Sequence, residues 1–134
     1  MRKKNIDILE HIKMYCEDIM KSVKRFGNDK AVFDVDNDYR NSVCMSLLQI
    51  GELTGHLTED FREETKNKIF WSAIKGMRNL FAHNYGAVDV ERVWETVISD
   101  IPQLLEFCEQ TIQINRFLDQ KENEVSETGC DMDG

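Results

Sequence analysis

The sequence predicts an all-α protein, an up-and-down bundle of four to five helices. Three observations predict it. Apolar residues recur every three or four positions through most of the 134 residues, the period of one buried helical face. A single proline and seven glycines leave long stretches free of helix breakers. No segment reads as a strand, and no internal repeat is visible.

The first helix is expected over Ile6 to Phe26, where Ile6, Leu9, Ile12, Cys16, Ile19, Val23 and Phe26 form one stripe. Asn5 can cap its start and Gly27 can end it in a left-handed turn. "GNDKAVFDVDND" reads as a loop. The second helix runs from Tyr39 to about Leu57 on the stripe Tyr39, Val43, Leu47, Ile50, Leu53, Leu57. Gly51 and Gly55 stand inside it. Each costs roughly 1 kcal/mol against alanine, an amount that close approach of another backbone can offset. "TEDFREETKNK" is a polar connector to a shorter helix, Phe70 to about Phe81. "HNYGAVD" breaks the pattern, with Gly86 free to take a positive φ and Asp89 able to cap the next helix. The last helix carries Val90, Val93, Val97, Ile101, Leu104 or Leu105, Cys108 and Ile112, and Pro102 predicts a kink or break near Asp100. Residues 1–118 thus form the bundle. Residues 119–134 form an acidic, apolar-poor tail expected to be disordered.

No apolar run approaches the roughly 20 residues of a membrane span, and no signal peptide follows the basic N-terminus, so a cytoplasmic protein is expected. The four cysteines form no C-x-x-C pair and read as apolar thiols, except Cys130 in the polar tail. Net charge is −8, which argues against a nucleic-acid partner until its distribution is considered. The tail alone contributes six acids and one lysine. Residues 66–85 carry Lys66, Lys68, Lys75 and Arg78 with no acid, a pattern that suits an anion site or an ordinary solvated basic face.

Within that segment "MRNLFAHNY" sets Arg78, His83 and Tyr85 in eight positions. Arg78 and His83 are five apart, about 140° around an ideal helix, so they converge only if the helix ends near Phe81 and the chain bends, or across a two-fold axis. A guanidinium offers a planar fork that matches two phosphate oxygens, and a histidine moves protons near pH 7. Together they meet the minimal need for RNA cleavage without a metal, and no carboxylate cluster stands beside them to hold one. Tyr85 adds a phenol that can bond or stack on a base. The bland alternative is a helix terminus, with His83 on the last carbonyls. His11 reads as a surface residue, His56 as a helix-end residue, and Trp71 and Trp94 as core or dimer contacts rather than base platforms.

"FWSAIKGMRNLFAHNYGAVDVERVWETVISDIPQL" resembles the signature segment of the HepT-like ribonuclease toxins of the HEPN superfamily. The shared landmarks are Gly76 to Asn79, His83, Tyr85, Val88–Asp89, Val93–Trp94 and Ile101–Pro102. "DYRNSVCMSLLQIGEL" is similar to that family's second helix, with its "IGE" at Ile50 to Glu52. The resemblance covers roughly residues 5 to 115. It departs where Phe70, not proline, precedes Trp71, which touches a loop more than the site. It implies an all-helical, HEPN-like homodimer whose cleft gathers Arg78, His83 and Tyr85 from both subunits. It implies RNA as substrate, no cofactor and no metal. It also implies a small nucleotidyltransferase antitoxin as partner, which transfers AMP to Tyr85. Asn79, Lys75 and Arg40 are candidates for cleft support. The alternative is a catalytically idle helical module that binds a nucleotide or scaffolds the nucleotidyltransferase.

Overall fold

The computed structural model describes residues 2–83 and 89–133, with side chains described for residues 2–76, 78 and 89–123. The helices are α1 (Arg2–Arg25), α2 (Lys30–Val35), α3 (Asn37–Thr54), α4 (Glu59–Thr65), α5 (Trp71–His83), α6 (Val90–Glu95) and α7 (Ile101–Asp133), and a π-helical turn, Thr96–Asp100, joins α6 to α7. The architecture is all-α, with no strand among the described residues. No helix there is long and apolar enough to cross a membrane.

α1 is the central post, packed on α3 and α7, and α5 packs on the far side of α3. Leu9, Ile12, Cys16, Ile19 and Val23 of α1 are buried, as the stripe predicts. Tyr39, Val43, Leu47 and Ile50 of α3 meet them, with Ile101, Leu104, Cys108 and Ile112 of α7. Each fully buried branched side chain contributes about 1.5–3 kcal/mol. Two aromatic groups close the core. Phe26 stacks on Tyr39 with ring centroids 4.3 Å apart, and Phe33 meets Tyr39 edge-on. Trp71 meets Phe107 edge-on at 5.6 Å. Trp71 is therefore core, its indole N–H donating to Thr65 Oγ1 at 2.8 Å. Trp94 lies partly buried against Phe33.

Several elements differ from the sequence reading. α1 begins at Arg2, so Asn5 is inside the helix and does not cap it. The buried Asn5 amide instead donates to Thr58 Oγ1 and accepts from the Thr58 N–H, both at 3.0 Å, a two-point clamp between α1 and the start of α4. The expected loop after Gly27 contains α2. Asp29 caps it through the Ala31 N–H, and buried Phe33 pins it to the core. Asp36 then caps α3 through the Tyr39 N–H. The polar connector "TEDFREETKNK" contains α4, capped by Thr58. α5 runs on to His83 rather than ending near Phe81. α7 continues through residues 119–133, where disorder was expected, and Arg2 pairs with Asp119 at its first part.

Three local expectations hold. Gly27 has φ +80 and ends α1 in a left-handed turn, with the Asn28 N–H bonded to the Val23 carbonyl. Asp89 caps α6 through the Glu91 and Arg92 N–H groups. The break before Pro102 is real: the Ile101 N–H donates to the Thr96 carbonyl, five residues back, and this wider turn adjoins the residue that lacks a donor.

Candidate functional site

The site is built on the seam between α3 and α5. A Cβ at Gly51 would lie 3.1 Å from the Arg78 Cβ and 3.3 Å from both the Arg78 backbone nitrogen and the Ile74 carbonyl oxygen. A side chain there would force the helices apart, so the glycine's cost in helix propensity is offset by backbone contact. At Gly55 a Cβ would meet only the Glu52 carbonyl oxygen at 3.3 Å and the Lys75 Cε at 3.8 Å. The approach of the second backbone is therefore closest beneath Arg78.

Arg78 leans over that contact. Its Nη1 is 3.1 Å from Glu52 Oε2, and its side chain is 44% exposed. A pair this open stabilises the fold by about 1 kcal/mol or less, so its main effect is to orient the guanidinium. One carboxylate oxygen leaves a second edge of the fork for another planar anion. The other Glu52 oxygen is 3.7 Å from His56 Nε2, so one carboxylate stands between an arginine and a histidine. Sequence reasoning noted Glu52 only as the last letter of "IGE". The available signal was its place beside a mid-helix glycine that required a close neighbour.

Lys75 is exposed, one turn before Arg78 on α5, and opens onto a groove of about 540 Å³ between α4 and α5 that Arg62, Lys66 and Phe70 also line. Gly76 beside it has no atom of the described residues within 4 Å of where a Cβ would stand. His83 is the last residue of the same uninterrupted helix. Five residues place it about 7.5 Å further along the axis and about 140° round it from Arg78. A bend before His83 thus does not bring the two together. The side chains of Asn79 and His83, and all of Tyr85, lie outside the described residues.

Arg40 does not join this group. It lies in the first turn of α3, about 16 Å along the helix from Gly51 at 1.5 Å per residue. Its Nη1 donates to the Phe33 carbonyl at 2.9 Å and to the Asp34 carbonyl, and its Nη2 to Asn37 Oδ1. The guanidinium closes the C-terminal end of α2. The remaining histidines match their reading: His11 is an exposed α1 residue with Nδ1 2.8 Å from the Asp7 carbonyl, and His56 lies just beyond α3.

Cys16, Cys44 and Cys108 are free, buried thiols. Burial pushes the Cys16 thiol well up, Cys44 up to about 11 and Cys108 up to about 12. They are apolar filling rather than nucleophiles. Among the described residues no three histidine, cysteine or carboxylate side chains gather where a metal ion could sit.

Comparison with known proteins gives a consistent picture. Residues 9–111 match the family model described as ribonuclease HepT-like. A protein of Caldanaerobacter subterraneus subsp. tengcongensis, named as a candidate RNase, is 33% identical over 105 residues, covering 78% of this chain and 91% of its own length. Another candidate RNase, from Methanocaldococcus jannaschii, is 31% identical over 69% of this chain and 89% of its own length. A protein of Thermococcus cleftensis, named "Probable ribonuclease HepT", is 30% identical over 78% of this chain and 92% of its own length. No solved structure matches the chain.

Proposed function

The chain belongs to the family of HepT-like ribonucleases, and from that premise we propose that it is the RNA-cleaving toxin of a toxin–antitoxin pair and works as a homodimer without a metal. The observation that carries this reading is the accessible Arg78 guanidinium, held over Gly51 by Glu52, on the same unbroken helix as His83. The open edge of Arg78 takes the two non-bridging oxygens of a phosphodiester. A neutral His83 accepts the proton of the adjacent 2′-hydroxyl. The 2′-oxygen then bonds to phosphorus while the bond to the 5′-oxygen breaks, and a water molecule donates the proton that the leaving oxygen takes up. The products are a 2′,3′-cyclic phosphate and a 5′-hydroxyl. Arg78 holds the charge that builds on the phosphoryl oxygens.

The continuous helix supports a shared cleft. Positions 78 and 83 stand about 140° apart around one α5, and a two-fold axis is the simplest way to set an arginine of one subunit beside a histidine of the other. Gly76, with no atom of the described residues near its Cβ position, is suited to a close neighbour. Lys75 adds charge one turn away, and Asn79 follows Arg78 directly.

Control falls to Tyr85, as the acceptor of AMP from a nucleotidyltransferase antitoxin. The phenol oxygen attacks the α-phosphorus of ATP and pyrophosphate leaves. The attached phosphate then occupies the Arg78 fork in place of RNA. Tyr85→Phe should keep RNase activity and escape neutralisation in cells that co-express the transferase. Silencing of Tyr85→Phe to the wild-type extent would remove this control.

The direct test of catalysis is a fluorescent RNA in EDTA. Loss of a proton-transfer group costs about 10²- to 10⁴-fold, so His83→Ala should lose at least that while its circular dichroism is unchanged. Wild-type activity in the variant, or activity that requires added metal, would overturn the mechanism.

A further inference from the structure

On the other side of Glu52 from Arg78 lies a second groove, of about 580 Å³, between the first turns of α1 and the end of α3. Its floor is apolar, from the partly buried Ile8 and Leu53. Its rim carries Lys3, Lys4, His11 and His56, against a single acid, Asp7. Neither lysine has an ion-pair partner among the described residues, whereas Arg2 beside them pairs with Asp119 and Glu122. The Asn5–Thr58 clamp fixes α1 to the chain just beyond α3, so the groove walls are held rigidly. The volume falls within the range of roughly 300–1,000 Å³ typical of small-ligand sites.

We propose that this groove takes a flanking nucleotide of the RNA strand that Arg78 positions for cleavage, an inference that rests on the ribonuclease reading. Two features argue for this occupant. A flat apolar floor with cations on the rim matches a base and its phosphate: the base covers Ile8 and Leu53, and Lys3 and Lys4 meet the phosphodiester. The groove is continuous with the site, because His56 on its rim is 3.7 Å from the carboxylate that holds Arg78 at 3.1 Å. Its contribution is independent of the reacting phosphate, so it lengthens the footprint of the enzyme on its substrate.

The test uses the full chain and a 2′-O-methyl octanucleotide, which binds but cannot be cut. Lys3→Gln/Lys4→Gln should weaken its binding about tenfold. It should also reduce the slope of log K against log salt by about 1.4, two single-strand phosphate contacts at roughly 0.7 each. Lys21→Gln/Lys24→Gln, the same charge loss at the far end of α1, should leave both unchanged. Cleavage of an unmodified dinucleotide, which carries no phosphodiester beyond the reacting one for Lys3 and Lys4 to meet, should be equal in all three proteins. Equal weakening by both double variants would reduce the effect to the general field, and no weakening by either would empty the groove; both results overturn the proposal. So would AMP or a polyglutamate peptide that binds as tightly as the octanucleotide and loses affinity by the same factor in Lys3→Gln/Lys4→Gln. A wild type that cuts neither RNA, yet binds the octanucleotide through these lysines, would overturn the ribonuclease reading and leave the groove assigned.

Discussion

Two arginines flank the ends of α3, and both read from the sequence as possible cleft residues. Arg40, in its first turn, donates to two carbonyls of α2 and to Asn37. Arg78 packs near its last turns and has one carboxylate, with 44% of its side chain exposed. The same side chain is a strut in the first place and an available fork in the second. The difference lies in the neighbours. A helix that ends beside Arg40 presents orphan carbonyls that use its donors. At Arg78 the neighbour is a glycine, which offers backbone proximity and no acceptor toward the guanidinium, and Glu52 one residue on takes a single edge.

The largest expected effect tests this contrast directly. Arg78→Ala should reduce RNA cleavage by at least about 10²-fold, the scale of losing one preorganised donor to a developing oxyanion, with little change in thermal stability. Arg40→Ala should do the reverse. Its folded fraction should cut RNA at the wild-type rate while stability falls by about 1 kcal/mol, because the part-buried Phe33 carbonyl loses a charged donor. Kinetics and denaturant unfolding on the two variants decide it; a catalytic defect in Arg40→Ala at full stability would return Arg40 to the cleft.

The glycines provide a smaller test. Gly51→Val places atoms where the α5 backbone already stands and should cost about 1–3 kcal/mol through overpacking. It should also lower activity, since a shift of Arg78 by an ångström misplaces the phosphate. Gly55→Ala, facing only a lysine methylene and its own helix, should be near neutral in both measurements. Equal tolerance at the two positions would contradict a contact specific to Arg78.

The smallest effect concerns Cys44, one turn beyond Arg40. Burial raises this thiol from 9.0 to about 11, and the Arg40 charge opposes the rise. The folded chain holds the proton more tightly than the unfolded chain. The stabilisation is therefore complete below pH 9 and is lost as pH rises from 9 toward 11. Cys108 extends the same loss to about pH 12. The denaturant midpoint should fall across that window in wild type and fall less in Cys44→Ala; identical slopes would show that the thiol is not so buried.

The stripes of α1, α3 and α7 were legible because each repeats over three or more turns, and so were the stops at Gly27, Asp89 and Pro102, whose chemistry is local. α2 was not legible. Six residues carry no period, and the helix exists because Phe33 is buried by partners elsewhere in the chain. Asn5 looked like a cap because it precedes the first apolar residue, yet its partner, Thr58, is 53 residues away. The site divided the same way. Arg78 and Lys75 stood out in an acid-free run, and Gly51 signalled a close neighbour. The Glu52–Arg78 pair joins two helices, and no spacing within either one announces it.

The central claim is that Arg78 and His83 act together across two subunits, and mixing inactive variants tests it most directly. Arg78→Ala and His83→Ala proteins, unfolded together and refolded as an equal mixture, form mixed dimers that carry one complete Arg78–His83 pair only if the cleft is shared. Cleavage should then return to about a quarter of the wild-type rate, since half the dimers are mixed and each holds one intact site of two. Activity no higher than that of either variant alone would contradict the shared cleft.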